Sequence, residues 1–131
     1  MLAILHFNSL SYKVKSIDTD TALKMINNGA IILDVRTRER YQKSHIPHAL
    51  SYPSEFLKKA QLKFPLSANI IVYSCKGNEL ALEATYFLNN KGYLNAFNLE
   101  DGYCGWKQNK LPVTSLQQKT ELKVESPNLS E

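Results

Sequence analysis

The chain has 131 residues, of which 44% are hydrophobic and 21% are charged. These proportions are typical of one folded domain and exclude an intrinsically disordered chain. The net charge of +4 is carried by scattered basic residues, which favours a small anionic ligand and argues against nucleic acid. Two cysteines, Cys75 and Cys104, are too few for a disulfide framework, so we expect a protein of the reducing cytoplasm.

The first part of the chain predicts a strand, a helix and a second strand. Residues 12–17 alternate as in a short strand. The next segment has helical spacing, with Asp18 or Thr19 as its cap and Gly29 at its end. The continuous apolar run 30–35 then predicts a strand that is buried on both faces.

Two helices and another buried strand follow. The polar stretch 37–45 predicts a short helix that ends before the next prolines. A second helix is predicted over 55–64, with Ser54 as its cap and Pro65 as its stop signal. Residues 69–74 are again apolar and predict a second buried strand.

The remaining elements repeat the alternation of helix and strand. A helix is predicted from Asn78 to a stop signal at Gly92. Its apolar face at helical spacing consists of Leu80, Ala84, Phe87 and Leu88. Residues 94–99 predict a strand, and 101–109 predict a turn and a short last helix.

This order of elements predicts an α/β fold, with a mostly parallel central sheet and helices on both faces. One domain is expected over 1–113, in which 1–12 form an extra strand or a packed arm too short to cross a bilayer. Residues 114–131 lack an apolar face, so we predict a disordered tail. We expect a monomer or a weak homodimer with no membrane partner.

Cys75 lies where the second buried strand ends and the next helix begins. The unpaired N–H groups of a helix N-terminus stabilise a thiolate or a bound anion there. Lys76 adds positive charge and Gly77 lets the backbone curl, whereas Glu79 would repel an anion. The alternative is a small core residue, which is the commoner role of a cysteine after a buried strand.

Several ordered motifs resemble the rhodanese family over roughly residues 15–113. They are "ILDVR" at 32–36, "ERYQKSHIPHALSYP" at 39–53, "VYSCKGNEL" at 72–80 and "LEDGYCGWKQNKLPV" at 99–113. The resemblance implies the three-layer rhodanese-like fold and aligns Cys75 with the family's catalytic cysteine.

The resemblance also implies a reaction. A loop of six residues, from Cys75 to Leu80, is associated in the family with sulfur transfer. Related phosphatases have a longer loop and an arginine six positions after the cysteine, where this chain has Ala81. The family therefore predicts a sulfurtransferase that moves sulfane sulfur from thiosulfate or a persulfide to a thiol or cyanide, through a persulfide of Cys75, without metal or organic cofactor.

In this interpretation the backbone N–H groups of the loop bind the transferred sulfur. The substrate-binding residues are Lys76, Gly77, Asn78, Glu79 and Leu80. The partners are a small anionic or persulfide donor and a thiol or protein acceptor. An alternative from another class is a catalytically weak rhodanese module that acts as a protein-binding or sulfur-carrying partner.

A few residues outside the loop carry further expectations. Asp34 and Arg36 lie at the end of a buried strand, where charges need a partner, and the resemblance implies that this pair braces loops near the site. His48 and Asp101 stand where the family commonly has glycine. Cys104 either resolves the persulfide or is a half-buried thiol of the last helix.

Overall fold

The computed structural model describes residues 13–76 and 79–116. Within these ranges the strands are β1 Ser16–Ile17, β2 Ile31–Asp34, β3 Leu50–Ser51, β4 Ile70–Tyr73 and β5 Ala96–Leu99. The helices are α1 Thr19–Asn27, α2 Arg38–Lys43, α3 Ser54–Leu57, α4 Glu79–Asn90 and α5 Gly102–Gln108. The strands form one sheet in the order β1-β5-β4-β2-β3, and each neighbouring pair is parallel.

Two apolar clusters cover the two faces of this sheet. Successive residues of a strand point to opposite faces, and accordingly Ile32 packs in one cluster and Leu33 in the other. The first cluster includes Ala22 of α1, Tyr41 of α2 and Trp106 of α5. The second includes Leu57 of α3 with Ala84 and Leu88 of α4. The predicted α/β fold, with a parallel sheet between two layers of helices, is confirmed.

Helix α1 begins and ends at the predicted residues. The Asp18 side chain accepts a hydrogen bond of 2.8 Å from the backbone N–H of Thr21, which satisfies one of the unpaired donors of the first turn. Hydrogen bonding to Thr21 lowers the pKa of Asp18. Gly29 has φ +90°, a backbone conformation that glycine adopts without strain.

The prediction of a helix over 55–64 is correct for the first turn and wrong for the residues after it. Helix α3 ends at Leu57, and Ser54 is its first residue rather than its cap. Leu62 and Phe64 both pack against the second cluster. Side chains two positions apart face the same way in extended chain but not in a helix, so an extended course buries both.

Two smaller predictions also differ from the structure. Leu80 is 37% exposed, because α4 turns Ala81, Ala84 and Leu88 towards the second cluster instead. Strand β1 contains only two residues of the predicted 12–17 strand, because the chain before it buries Val14 in a separate small cluster with α4.

The ends of the predicted domain are described in part. The arm predicted over 1–12 lies outside the described residues, as does 117–131 of the predicted tail. Thr114, predicted as the first tail residue, forms an antiparallel bridge with His45 through hydrogen bonds of 2.8 and 2.9 Å. The packed chain therefore reaches Thr114. Among the described residues, no helix is long and apolar enough to cross a membrane.

Candidate active site

The chain leaves the core through three consecutive residues after β4. Strand β4 lies between β2 and β5, and its four residues are all buried. Ser74 is buried, Cys75 is half-buried and Lys76 is exposed. The Cys75 thiol is thus at the carboxyl edge of the sheet, where open α/β sheets bind ligands.

A basic side chain from α2 contacts this thiol. Nη1 of Arg40 donates a hydrogen bond of 2.7 Å to Sγ of Cys75. Thr37 caps the N-terminus of α2, and its hydroxyl accepts a 3.4 Å hydrogen bond from the backbone N–H of Arg40. The guanidinium brings a positive charge into contact with the sulfur, and it also offers further donors to an anion at the site.

Arg40 was not among the residues predicted for the site. Strands β2 and β4 are neighbours in parallel register, with Asp34 opposite Tyr73, so the segments that follow them emerge side by side. The two arginines of "TRER", Arg38 and Arg40, follow the end of β2 by four and six positions. Their position after a strand adjacent to that of Cys75 is the signal that could have identified them.

A buried ion pair lies at the carboxyl end of β2. Asp34 is fully buried and Arg36 is 5% exposed, and the guanidinium meets the carboxylate through both Nε and Nη2 at 2.8–3.1 Å. Burial opposes the charge of Arg36, but the Asp34 carboxylate outweighs burial and holds the pKa of Arg36 above its ordinary value. The predicted pairing of these two residues is confirmed.

Tyr73 connects this ion pair to the strand that carries Cys75. Its hydroxyl donates to Oδ2 of Asp34 at 2.6 Å and accepts from the backbone N–H of Ile46 at 3.1 Å. Burial, followed by the negative charge of Asp34, raises the pKa of Tyr73 far above that of a free tyrosine. The phenol therefore remains a neutral donor, and it ties β4 to the segment after α2.

The Arg36 side chain also reaches α5 and the end of α2. Its guanidinium carbon lies 4.1 Å from the ring centroid of Tyr103, and Nη2 donates to the carbonyl of Ser44 at 2.6 Å. The Tyr103 hydroxyl donates to the Ser44 hydroxyl. The α2 segment that carries Arg40 is thereby fixed against α5, as the bracing role of Arg36 predicted.

The first turn of α5 holds the backbone around Cys75. The N–H of Tyr103 donates to the Ser74 carbonyl at 2.8 Å, and the N–H of Cys104 donates to the Cys75 carbonyl at 2.7 Å. Gly102, with φ +61°, approaches so closely that an added Cβ would lie 2.7 Å from Cα of Lys76. A glycine is required here for both reasons.

The loop residues predicted to bind substrate are only partly described. Lys76 is exposed and borders an open groove with Cys104. Gly77 and Asn78 lie outside the described residues. Glu79 and Leu80 are the first two residues of α4 and both are exposed.

Comparisons with known proteins identify the family to which the chain is similar. The chain matches the rhodanese-like domain model over residues 18–109. It is 32% identical over 118 residues to an uncharacterized protein of Rickettsia conorii, with 76% of this chain and 96% of that protein covered. It is 29% identical over 99 residues to thiosulfate sulfurtransferase GlpE of Haemophilus influenzae, with 76% and 93% covered.

Solved structures of rhodanese-like domains also match this chain. The solution structure of a rhodanese-like domain from an Anabaena protein superposes with a TM-score of 0.68 at 26% identity, covering 78% of this chain and 80% of that one. The predicted resemblance is confirmed, and the chain belongs to the rhodanese-like domain family.

Proposed function

We propose that the protein is a sulfurtransferase that carries sulfane sulfur as a persulfide of Cys75. The observation that supports this best is the 2.7 Å contact between Arg40 Nη1 and Cys75 Sγ. It pairs a nucleophile with a cation at a position that is open to solvent. The donor is a small anion, thiosulfate or a persulfide, and the acceptor is a thiol or cyanide.

In the first step the Cys75 thiolate attacks the outer sulfur of the donor. A new S–S bond forms, the S–S bond of the donor breaks, and sulfite leaves when the donor is thiosulfate. The enzyme then holds a Cys75 persulfide with a negatively charged outer sulfur. Arg40 stabilises the thiolate before the attack and the anionic persulfide after it.

In the second step the acceptor thiolate attacks the outer sulfur, and the Cys75 thiolate leaves with its electron pair. The cycle moves one sulfur atom and requires no metal or organic cofactor. Both cysteines are free thiols in the structure. Because the cycle needs a free Cys75, a reducing cytoplasm is the compartment that suits it.

The second candidate is a catalytically weak module that binds a protein or carries its sulfur. The negative charge near the loop favours it, because Glu100 and Asp101 border the groove next to Lys76 and Glu79 is exposed at the start of α4. These carboxylates weaken the attraction of the site for an anionic donor. Phosphatase chemistry has less support, since the position of the phosphate-binding arginine is held by Ala81, which is fully buried.

Mass spectrometry of the intact protein separates the two candidates. The protein is incubated with thiosulfate and, separately, with glutathione persulfide. The sulfurtransferase gains at least one sulfur atom and loses the added sulfur again when cyanide or a thiol is added. Cys75→Ser is the matched control and should gain none. A wild-type protein that neither donor modifies, or a Cys75→Ser variant that still gains sulfur, would contradict the proposal.

A further inference from the structure

The two cysteines are 29 positions apart in the sequence but are adjacent in the fold. The backbone N–H of Cys104 donates to the carbonyl oxygen of Cys75 at 2.7 Å. Covalent bond lengths then keep the two Cα atoms within ~6.6 Å of each other. This limit falls inside the range of about 4.4–6.8 Å over which two cysteines can form a bond between their sulfur atoms.

Both side chains are accessible to reactants. Cys75 and Cys104 are free and half-buried. Cys104 borders an open groove together with Lys76, the residue that follows Cys75. Arg40 approaches Cys75 from α2, whereas Cys104 belongs to α5. The guanidinium that contacts Cys75 and the groove that Cys104 borders therefore involve different elements of the fold.

The charges at the guanidinium contact and at the groove also differ. Arg40 favours an anionic donor at Cys75. Glu100 and Asp101, which precede α5, border the groove beside Cys104 together with Lys76, so carboxylates outnumber cations among its lining residues and disfavour an anion there. A donor is thus attracted to Cys75, and the groove is better suited to a neutral or positively charged acceptor thiol.

From this juxtaposition, which rests on the proposed function, we propose that Cys104 is a second sulfur carrier. The Cys104 thiolate attacks the outer sulfur of the Cys75 persulfide. An S–S bond forms to Cys104, the S–S bond at Cys75 breaks, and Cys75 leaves as a thiolate with the electron pair. Sulfane sulfur then resides on Cys104, at the groove, where an acceptor thiol removes it.

This transfer conserves electrons and needs neither oxidant nor reductant. An attack by Cys104 on the inner sulfur would instead expel hydrosulfide and leave a disulfide that an external thiol must reduce. The contact with Arg40 favours the first course, because the guanidinium stabilises the Cys75 thiolate that departs.

Peptide mass spectrometry tests this relay. The protein is loaded with thiosulfate or glutathione persulfide, alkylated and digested with trypsin, which separates the cysteines into peptides 64–76 and 92–107. Wild type should carry added sulfur on both peptides, and first on 64–76. Cys104→Ser and Cys104→Ala should carry it on 64–76 alone. Cys75→Ser should lose it from both.

The other outcomes overturn the relay in distinguishable ways. Sulfur on 64–76 alone in wild type leaves the proposed function intact and removes the relay. Sulfur on 92–107 in Cys75→Ser means direct loading, and a disulfide between the two peptides means resolution with loss of hydrosulfide. If neither donor loads any variant, the proposed function fails and the relay fails with it.

A dilution series checks that the transfer occurs within one molecule. After the donor is removed, the rate at which sulfur appears on Cys104 should stay constant over a tenfold dilution of the protein. A rate that falls in proportion to the concentration would overturn the relay. Loaded Cys104→Ser mixed with Cys75→Ser supplies the matched reaction between molecules, which should be slower.

Discussion

A Cβ atom on Gly105 would lie only 2.3 Å from the Cβ atom of Asp101. The next neighbours of that added atom also belong to Asp101, at 3.3 and 3.8 Å. Asp101 has φ −88°, so its own backbone does not require the glycine that the family commonly has there. The two residues are therefore coupled: a side chain at 101 demands glycine at 105.

This coupling predicts that the effect of Gly105→Ala changes sign with the residue at 101. In the wild type, the clash should lower the free energy of unfolding by about 2 kcal/mol. In an Asp101→Gly background the clash disappears, and alanine inside helix α5 should raise the free energy of unfolding by about 1 kcal/mol. Urea denaturation of the four proteins measures the cycle. An equal loss in both backgrounds would contradict the coupling.

Gly102→Ala should disturb the site more than Gly29→Ala, although both glycines have a positive φ. Gly102 (φ +61°) would place its Cβ within 3 Å of backbone atoms of Lys76, Ser74 and Cys75. Gly29 (φ +90°) has nothing within 4 Å. Gly29→Ala should cost about 1–2 kcal/mol through strain alone, and Gly102→Ala about 2 kcal/mol more. Sulfur loading should fall only in Gly102→Ala; equal loading of both variants would contradict this.

Arg40→Gln should slow the loading of Cys75 by about 10- to 100-fold, because hydrogen bonds to charged groups are worth about 1.5–3 kcal/mol. Arg38→Gln removes the same charge from the same helix, and Arg38 is likewise exposed, so it is the matched control. Loading rates come from rapid quench and intact mass at saturating thiosulfate. If the loading rate falls equally in both variants, the overall positive charge of α2 promotes loading, and the contact between Arg40 and Cys75 does not.

The parts of the fold that the sequence predicted are those set by local signals. The cap at Asp18 and the buried runs of β2 and β4 depend on neighbouring residues, and all three were located correctly. The order of strand, cysteine and helix also located Cys75 at the edge of the sheet. These signals are periodicity and capping, which need no knowledge of distant contacts.

The features that the sequence did not reveal depend on residues far apart in the chain. Arg40 and Cys75 are separated by 35 positions, and their contact follows from strand order, which periodicity does not specify. The sequence pattern assigned Leu62 and Phe64 to a helix. Their extended conformation depends on packing against the second cluster, which the local sequence does not specify. Asp101 and Gly105 are only four positions apart, but the lack of space for a Cβ at Gly105 depends on the backbone conformation at the start of α5.

Tyr73→Phe should lower the free energy of unfolding by about 2–3 kcal/mol, because Asp34 loses a donor and the N–H of Ile46 loses its acceptor. The variant should also change the response to alkali. Since burial raises the pKa of Tyr73, the wild type binds this proton more tightly when folded, and its stability falls as pH rises above about 10. Denaturation from pH 8 to 11 should show a shallower fall in Tyr73→Phe. Parallel curves would contradict this assignment.

Lys110→Gly should stabilise the domain, because Lys110 follows the C-cap residue of α5 and has φ 58°. This left-handed conformation destabilises the fold by about 1 kcal/mol or more when the residue is not glycine. His48, with φ 73°, predicts the same for His48→Gly. Lys107→Gly is the control, since Lys107 lies inside α5 and glycine there should cost about 1 kcal/mol. Thermal unfolding should therefore show higher midpoints for the first two variants and a lower one for the third; a fall in all three would contradict the strain.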